Sequence, residues 1–485
     1  MNPSRIPIPF ISLSVQIRKE SSLSVTGKYD VVVVGAGISG LLSALALSKE
    51  GKSVLVLEKE NYIGGVCRSY QYQGYTVDTG PHIITRLDSG PLKVLMEKYF
   101  DLVPYFVPFG KYYLRINGQL KQFPWSVKDW MTFDLLPIED RSLLMKVIFD
   151  IAYMINTGAD MTKVSIQDIM PKSLSPSSVA FLDYLSYFML GTGPANAPVS
   201  RFIDRKKYKT EKPRDENGLS LPYVGRVYNM LVGGRPTDQY YPRGGVQKIV
   251  DALKYSIPKS VDFHLGEELL KVNTKSVRKR RETVETVTGV TTDKAVYEAD
   301  VVVYSGFATE LPKLFDHELP KDYVDNLNKI EKVTSLTVWL GLNEPVFMDE
   351  GSEMWVSTSP DTFHTWLIPT SNYDPSLAPK GKHLVGFAFI VPPGLSSEET
   401  RKIARHTIFS NIPALEKHMD MIHYQELVPE KATWSINAGF GDIETPIENM
   451  YCVGSDSFKR SMGLTRASYS VLKMLETMGI DGNLS

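Results

Sequence analysis

The chain has 485 residues, of which 43% are hydrophobic, 22% charged and 11% aromatic, enough to bury a large core and to form roughly two to four units of ~100–200 residues. Lys and Arg number 54 against 55 Asp and Glu, so no global field recruits nucleic acid or an acidic membrane, and no nucleic-acid partner is expected. The two cysteines, Cys67 and Cys452, exclude a disulfide framework. They point to a reducing, cytoplasmic setting, and the histidines lack metal-ligand spacing, so no metal is assigned.

In chain order, residues 1–27 carry an apolar patch, Ile6 to Leu13, with Arg18 and Lys19 behind it. A secretory signal places its positive charges ahead of the apolar stretch, so this segment reads as a loose N-terminal extension. Pattern begins at Lys28. Asp30-Val-Val-Val-Val34 is a buried-strand run, followed by Gly35-Ala-Gly37-Ile38-Ser39-Gly40 and a helical Leu41–Leu47 stretch closed by Gly51. In such a strand–turn–helix unit Gly35 permits the tight turn, Gly37 leaves room for a pyrophosphate, and Gly40 lets helix and strand pack closely, with the helix N-terminus facing the phosphates. A second strand, Ser53–Leu57, ends in Glu58 and Lys59. A carboxylate at that point accepts from ribose hydroxyls and disfavours a 2′-phosphate, so the site suits FAD or NAD before NADP.

Next come Gly64-Gly65 with Arg68, then Asp78-Thr-Gly80-Pro81-His82. Open backbone beside a guanidinium suits a diphosphate; the alternative is an ordinary turn with a solvated Arg. The longest apolar stretch, Leu143–Ile155, is broken by Lys146 and Asp150 and falls short of the ~20 residues of a membrane span. It predicts a greasy helix, as does the Phe181, Tyr184, Tyr187, Phe188 stripe. Core packing is the first reading of both, and a lipid-surface dock or an apolar tunnel the second.

Tyr241-Pro-Arg243-Gly244-Gly245 opens a helix over Gln247–Tyr255, and strands follow from Val261 to Ser305. The Lys275–Arg281 basic cluster falls between two of these strands and predicts a solvated hairpin tip. Ser335–Leu340 and His383–Ile390 read as strands facing a ligand cavity. Glu448–Val453 is a short strand running into Gly454-Ser-Asp456, then Met462-Gly463-Leu464, with a helix over Val471–Met478. No G-x-S-x-G and no P-loop is present.

Gly35, Gly37, Gly40, Glu58, Gly64-Gly65 with Arg68, and Asp78-x-Gly80 resemble the opening signature of the FAD-dependent clan of amine oxidases, protoporphyrinogen oxidases, phytoene desaturases and UDP-galactopyranose mutases. The resemblance implies an α/β fold: a discontinuous Rossmann-type FAD-binding domain (28–108, 236–312, 430–480) with an inserted α+β substrate domain (109–235, 313–429). It implies bound FAD contacted by Gly35, Gly37, Ile38, Ser39, Gly40, Glu58, Lys59, Gly64, Gly65, Arg68, Gly80, Pro81, His82, Gly454, Asp456, Met462, Gly463 and Leu464. Asp456 would hold the ribityl chain and the helix after Gly463 would face the flavin ring. The attachment Cys of some clan members has no counterpart in Arg460-Ser461-Met462, so the flavin is expected to be non-covalent. His82 is the one candidate for a direct catalytic role; ring packing is its alternative.

Tyr240-Tyr241-Pro-Arg243-Gly244-Gly245 and the greasy middle look most like the phytoene desaturase and protoporphyrinogen oxidase branches. These act on large apolar small-molecule substrates, which implies a peripheral membrane association. Gly80-Pro-His-Ile-Ile with Asn117–Pro124 looks closer to UDP-galactopyranose mutase, a reduced-flavin isomerase. An oxidoreductase is thus expected first, a mutase second, with an amine oxidase or a non-enzymatic flavoprotein as further alternatives.

Overall fold

The computed structural model describes residues 25–80, 82–157, 159–201, 238–279, 282–392 and 394–480. Residues 1–24 of the expected extension, Pro81, the side chain of Ile155, and Arg280 and Arg281 of the basic cluster lie outside the described residues.

The first part of the chain forms β1 (Val25–Val34), α1 (Ile38–Lys49), β2 (Val54–Glu58), β3 (Ser69–Tyr72), β4 (Tyr75–Asp78), β5 (Ile84–Thr85), α2 (Pro91–Tyr99), β6 (Phe106–Pro108), β7 (Tyr112–Ile116) and β8 (Gln119–Gln122). A helical run follows: α3 (Val127–Met131), α4 (Ile138–Asn156), α5 (Ile166–Ile169) and α6 (Pro176–Leu190). Then come β9 (Gln239–Pro242), a helix over Gln247–Ser256, β10 (Asp262–Leu265), β11 (Leu269–Lys279), β12 (Glu282–Thr292), β13 (Val296–Tyr304), β14 (Val333–Leu342), β15 (Ser352–Val356) and β16 (Thr365–Ile368). The chain ends with β17 (His383–Ile390), a helix over Ser397–Asn411, β18 (Met419–Glu430), β19 (Met450–Cys452) and a C-terminal helix over Gly463–Thr477.

The first sheet runs β10-β2-β1-β13-β12-β11, with β19 beside β13. Its central strands are parallel, and a parallel strand covered on both faces reads as an unbroken apolar run. Val31–Val34 show why: Val31 and Val33 pack into the layer of α1, α2 and the C-terminal helix, whereas Val32 and Val34 pack on the opposite side with Leu55 and Leu57. The basic cluster runs up to the end of the β11–β12 hairpin, where Lys279 lies opposite Glu282.

The second sheet, β18-β14-β17-β16-β15-β7-β8, alternates in the manner of a strand with two different faces. Leu336, Val338 and Leu340 of β14 pack against Ala404 and Ile408 of the Ser397–Asn411 helix, so Ser335, Thr337 and Trp339 turn the other way. The mixed α/β architecture is the one expected: a doubly wound sheet built from 25–58, 262–304 and 450–452, and a largely antiparallel sheet built from the intervening chain.

Helix α6 is set between strong stops. The Ser175 side chain accepts from the Ser178 N–H, Pro176 occupies the first turn, and Gly191 closes the helix in the left-handed conformation at φ 71°, where a side chain is disfavoured. Asp140 accepts from the Ser175 N–H (2.9 Å) and the Ser178 hydroxyl (2.7 Å), tying α4 to the start of α6. Leu144 and Ile151 of α4 are buried in apolar clusters, so the core-packing reading holds for these two positions. No helix among the described residues is long and apolar enough to cross a membrane.

Candidate cofactor and substrate site

One cavity of about 3480 Å³ lies between the carboxyl ends of the first sheet, the inner face of the second and helix α6. Pockets for single small ligands measure roughly 300–1,000 Å³, so this one has room for a dinucleotide and a sizeable second molecule.

At the cofactor end the glycines act in three different ways. Gly35 leaves β1 at φ 94° and donates its N–H to Leu57 O at 2.7 Å. A Cβ on Gly40 would lie 1.9 Å from the Gly35 carbonyl oxygen, whereas a Cβ on Gly37 would meet no protein atom within 4 Å. Gly40 is therefore a packing requirement and Gly37 an opening onto the cavity. The first intrahelical bond of α1 is Leu41 N–H to Gly37 O, so the preceding N–H groups carry the helix's positive end to the cavity wall. Gly37 caps this helix without a side-chain bond and no acidic residue occupies its first turn, so neither a capping side chain nor a first-turn carboxylate competes with an anion there.

Glu58 lines the cavity and accepts from the Ala36 N–H (2.7 Å) and the Glu60 N–H (2.9 Å). The carboxylate thus clamps the glycine turn, and each oxygen keeps a second lone pair for a ribose hydroxyl. Gly64 donates to Ala36 O at 2.7 Å, and a Cβ on Gly65 would approach Gly37 Cα to 3.2 Å, so the two glycine loops lie against each other. The Arg68 guanidinium covers the Tyr62 ring at 3.9 Å, and its Nε is buried without a hydrogen-bond partner among the described residues. Ile38, Ser39 and Lys59 share the same wall.

Asp78 is buried and is a pivot, not a cavity group. It accepts from the Ser69 hydroxyl (2.5 Å), the Tyr241 hydroxyl (2.8 Å) and the Val246 N–H (3.1 Å). Burial raises its pKa despite these donors. The pivot sets Gly80, which at φ 81° donates its N–H to Gln425 Oε1 at 2.9 Å. His82 lines the cavity, and its Nε2 faces Thr79 O at 2.8 Å. A carbonyl only accepts, so Nε2 carries the hydrogen and Nδ1 is the ring's basic atom. Cys67 sits on the same wall with its thiol pushed well up by burial and the nearby Asp78 carboxylate.

At the other end of the sequence, the C-terminal helix begins at Gly463, eight residues ahead of the start expected at Val471, because Met462-Gly463 turns directly into it. Met462, Gly463 and Leu464 line the cavity. Gly454 and Asp456 do not; Ser455 between them does. Asp456 Oδ2 accepts from the Ala308 N–H at 2.7 Å, which draws the side chain behind the wall, and Oδ1 has no hydrogen-bond partner among the described residues. Sequence reasoning missed Glu430, which accepts from the Gly463 N–H and pairs with Arg466. Burial outweighs Arg466 and raises the Glu430 pKa. Lys431 was missed as well; its Nζ donates to Ser305 O at 2.9 Å. A Glu-Lys pair at a strand end carries no spacing signal.

The substrate end is built from rows across the second sheet. Thr337 stands opposite Gln425 on one side and Ala388 on the other, and Ala388 stands opposite Trp366. Leu427, Ser335 and Ile390 form the next row, and all of these line the cavity. Both strands expected to face a ligand cavity contribute lining residues to this one. Across from them α6 presents Val179, Ala180, Tyr184, Tyr187 and Phe188. Phe181, also in the expected stripe, points into the core instead, and no described residue of α4 reaches the cavity. Of the two greasy segments, each read as core first and as a lipid-surface dock or tunnel second, α6 lines the cavity, whereas α4 buries Leu144 and Ile151 in apolar clusters and leaves Ile138 and Tyr153 exposed. Tyr70 was unforeseen: its hydroxyl accepts from Gln425 Nε2 and bonds His423 Nε2, both at 2.7 Å. His423 is held toward its neutral form by burial.

The cavity fits FAD: the Gly37 opening, the uncapped α1 terminus, Glu58 and the Gly64-Gly65 backbone converge on one wall, with the start of the C-terminal helix on the next. When bound, FAD supplies a two-electron acceptor that takes a hydride from substrate.

The chain is 38% identical over 109 residues to all-trans-retinol 13,14-reductase of Macaca fascicularis, covering 21% of this chain and 18% of that protein. It is 27% identical over 293 residues to 1-hydroxycarotenoid 3,4-desaturase of Flavobacterium sp. (strain P99-3), so the match spans about half of each, 56% and 55%. An oxidoreductase structure from Methanosarcina mazei superposes with a TM-score of 0.71 at 21% identity, covering 93% of this chain and all of that one, which shows a shared fold. The family model described as flavin containing amine oxidoreductase matches residues 38–408, and the chain accordingly belongs to that family, with FAD as its cofactor.

Proposed function

We propose that this FAD-dependent oxidoreductase dehydrogenates a large apolar small molecule, the hydride passing to flavin. The observation that carries the reading is the continuity of the cavity: the wall bearing the cofactor loops opens directly onto the row Thr337, Ala388, Trp366 and the apolar flank of α6. Two sequence relatives act on polyenes by their names, a retinol and a carotenoid, and support that substrate class. Removing a hydride from one carbon requires loss of a proton from its neighbour. His82 is the proposed acceptor, through Nδ1, because the Nε2–H bond to Thr79 O orients the ring at the cavity wall. The Gln425 side chain fixes Gly80 and Tyr70 together and thereby sets the distance between the two walls.

The test is anaerobic incubation of the FAD-loaded protein with a panel of polyenes, porphyrinogens, amines and UDP-galactopyranose, following flavin bleaching. Bleaching by polyenes or porphyrinogens supports the proposal. Bleaching by amines alone, or turnover of UDP-galactopyranose by the reduced protein alone, overturns it.

A further inference from the structure

Gln425 of β18 heads a hydrogen-bond chain whose directions follow from its donors. Its Oε1 accepts from two groups that only donate, the Gly80 N–H (2.9 Å) and the Trp339 indole N–H (3.2 Å), which settles the two ends of the amide. Nε2 therefore faces two acceptors, the Asp78 carbonyl (2.9 Å) and the Tyr70 hydroxyl (2.7 Å). Among the described residues the hydroxyl's own hydrogen has one acceptor, His423 Nε2 at 2.7 Å. An Nε2 that accepts is bare, so Nδ1 carries the imidazole hydrogen. Tyr72 stacks on the imidazole at 3.9 Å and 24° and holds its plane.

The chain starts inside and ends outside. Tyr70 and Gln425 line the cavity, whereas His423 is not part of its wall and is only half-buried. His423 Nδ1 has no partner among the described residues and is not shut off from solvent, so it meets water. No carboxylate or cation among the described residues bonds to the imidazole, so nothing traps a proton there. The Tyr70 oxygen accepts once from Gln425 and keeps a second lone pair. The Arg68 guanidinium, 5.5 Å from the centre of the Tyr70 ring, disfavours a positive charge that lingers on the hydroxyl. His82 is close by: its Nε2 would lie 3.9 Å from a Cβ on Gly80, the residue whose N–H Gln425 holds.

We propose that Tyr70 and His423 form a proton relay that carries the proton released in substrate dehydrogenation from the cavity wall to bulk water. The incoming proton bonds to the free lone pair of the Tyr70 oxygen, the hydroxyl's original O–H bond breaks, and that hydrogen joins His423 Nε2. The imidazolium so formed gives its Nδ1 hydrogen to water. No electrons are exchanged, and the hydroxyl and imidazole then reorient to their starting hydrogens. Gln425 is the positioning residue, since its amide sets the direction of the Tyr70 hydroxyl. The inference rests on the dehydrogenation reading, which supplies the proton.

The test mixes FAD-loaded wild type, Tyr70→Phe and His423→Ala anaerobically with phytoene in detergent micelles and times the bleaching of the flavin. Both variants are expected to bleach at least ~10-fold more slowly than wild type, with FAD content and dithionite reduction unchanged. Added imidazole is expected to restore the rate of His423→Ala and not that of Tyr70→Phe, a result that a packing role for His423 does not give. Separately, nitrogen NMR of the FAD-loaded protein with labelled histidine is expected to show His423 as the Nδ1–H tautomer, and a mixture of tautomers in Tyr70→Phe. Wild-type bleaching rates in both variants overturn the relay, as does an Nε2–H tautomer in wild type. If phytoene fails to bleach wild type as well, the dehydrogenation reading falls instead, and the tautomer alone decides the direction of the chain.

Discussion

At the scale of single residues, Gly37 and Gly40 separate binding from folding. A side chain at 37 enters open cavity, whereas a Cβ at 40 strikes the Gly35 carbonyl. Gly37→Val is therefore expected to give a folded protein with a thermal midpoint like that of wild-type apoprotein and FAD affinity down at least ~100-fold, about 2.7 kcal/mol. Gly40→Ala is expected to lower the midpoint of the apoprotein itself. Flavin fluorescence titration and calorimetry of both variants check the pair, and a Gly37→Val protein that retains wild-type affinity refutes the phosphate cradle. His82→Ala should keep its FAD and lose about 10²-fold in kcat; unchanged turnover in rapid-mixing experiments would leave His82 a packing residue. These glycine roles were legible because each follows from spacing within one short unit. Asp456 shows the limit: the motif marks its position, but whether it faces the cavity depends on the Ala308 N–H, 148 residues away in sequence.

Among elements, the start of the C-terminal helix is the place where electrostatics and cofactor meet. Glu430 accepts the Gly463 N–H, and burial raises its pKa against the pull of Arg466. A carboxyl with a raised folded-state pKa binds its proton more tightly in the native protein. Its contribution to stability is full below the ordinary carboxylate range and declines as pH rises through the folded-state value. Glu430→Gln mimics the protonated form and keeps an acceptor for Gly463. Its stability relative to wild type should therefore rise with pH through that window, from a level lowered by the Arg466 charge that loses its partner. Glu430→Ala lacks the acceptor and should cost about 1–3 kcal/mol. Denaturant midpoints at several pH values decide this, and a Glu430→Gln protein whose stability relative to wild type falls as pH rises would show that the pair with Arg466 outweighs burial. Helices α4 and α6 carry a similar lesson. Both are greasy, so apolar content alone does not separate them. What does is the set of side chains that α6 turns to the second sheet, Tyr184 and Phe188 meeting His364 and Trp366, while the caps at Ser175, Pro176 and Gly191 fix only where the helix starts and stops.

For the whole molecule, the doubly wound sheet was legible because the Val31–Val34 run and the glycine turn are local signals. Of the second sheet's strands, β14 and β17 were legible as strands; the other five, and the assembly of all into one cavity face, were not, since these depend on pairings such as Ala388 with Trp366 and Thr337 with Gln425 between distant parts of the chain. The central claim is that this face delivers an apolar substrate to the flavin. Ala388 lies two of the three strand intervals along the row from Gln425 to Trp366, so Ala388→Phe would fill the channel without touching the glycine loops. The most direct measurement is the anaerobic rate of flavin bleaching by a long apolar polyene in wild type and Ala388→Phe, with dithionite reduction as the control. The account predicts bleaching in wild type, its loss by at least ~10-fold in the variant, and equal dithionite reduction in both. Equal polyene rates in the two proteins, or bleaching by neither while the reduced protein turns over UDP-galactopyranose, would contradict it.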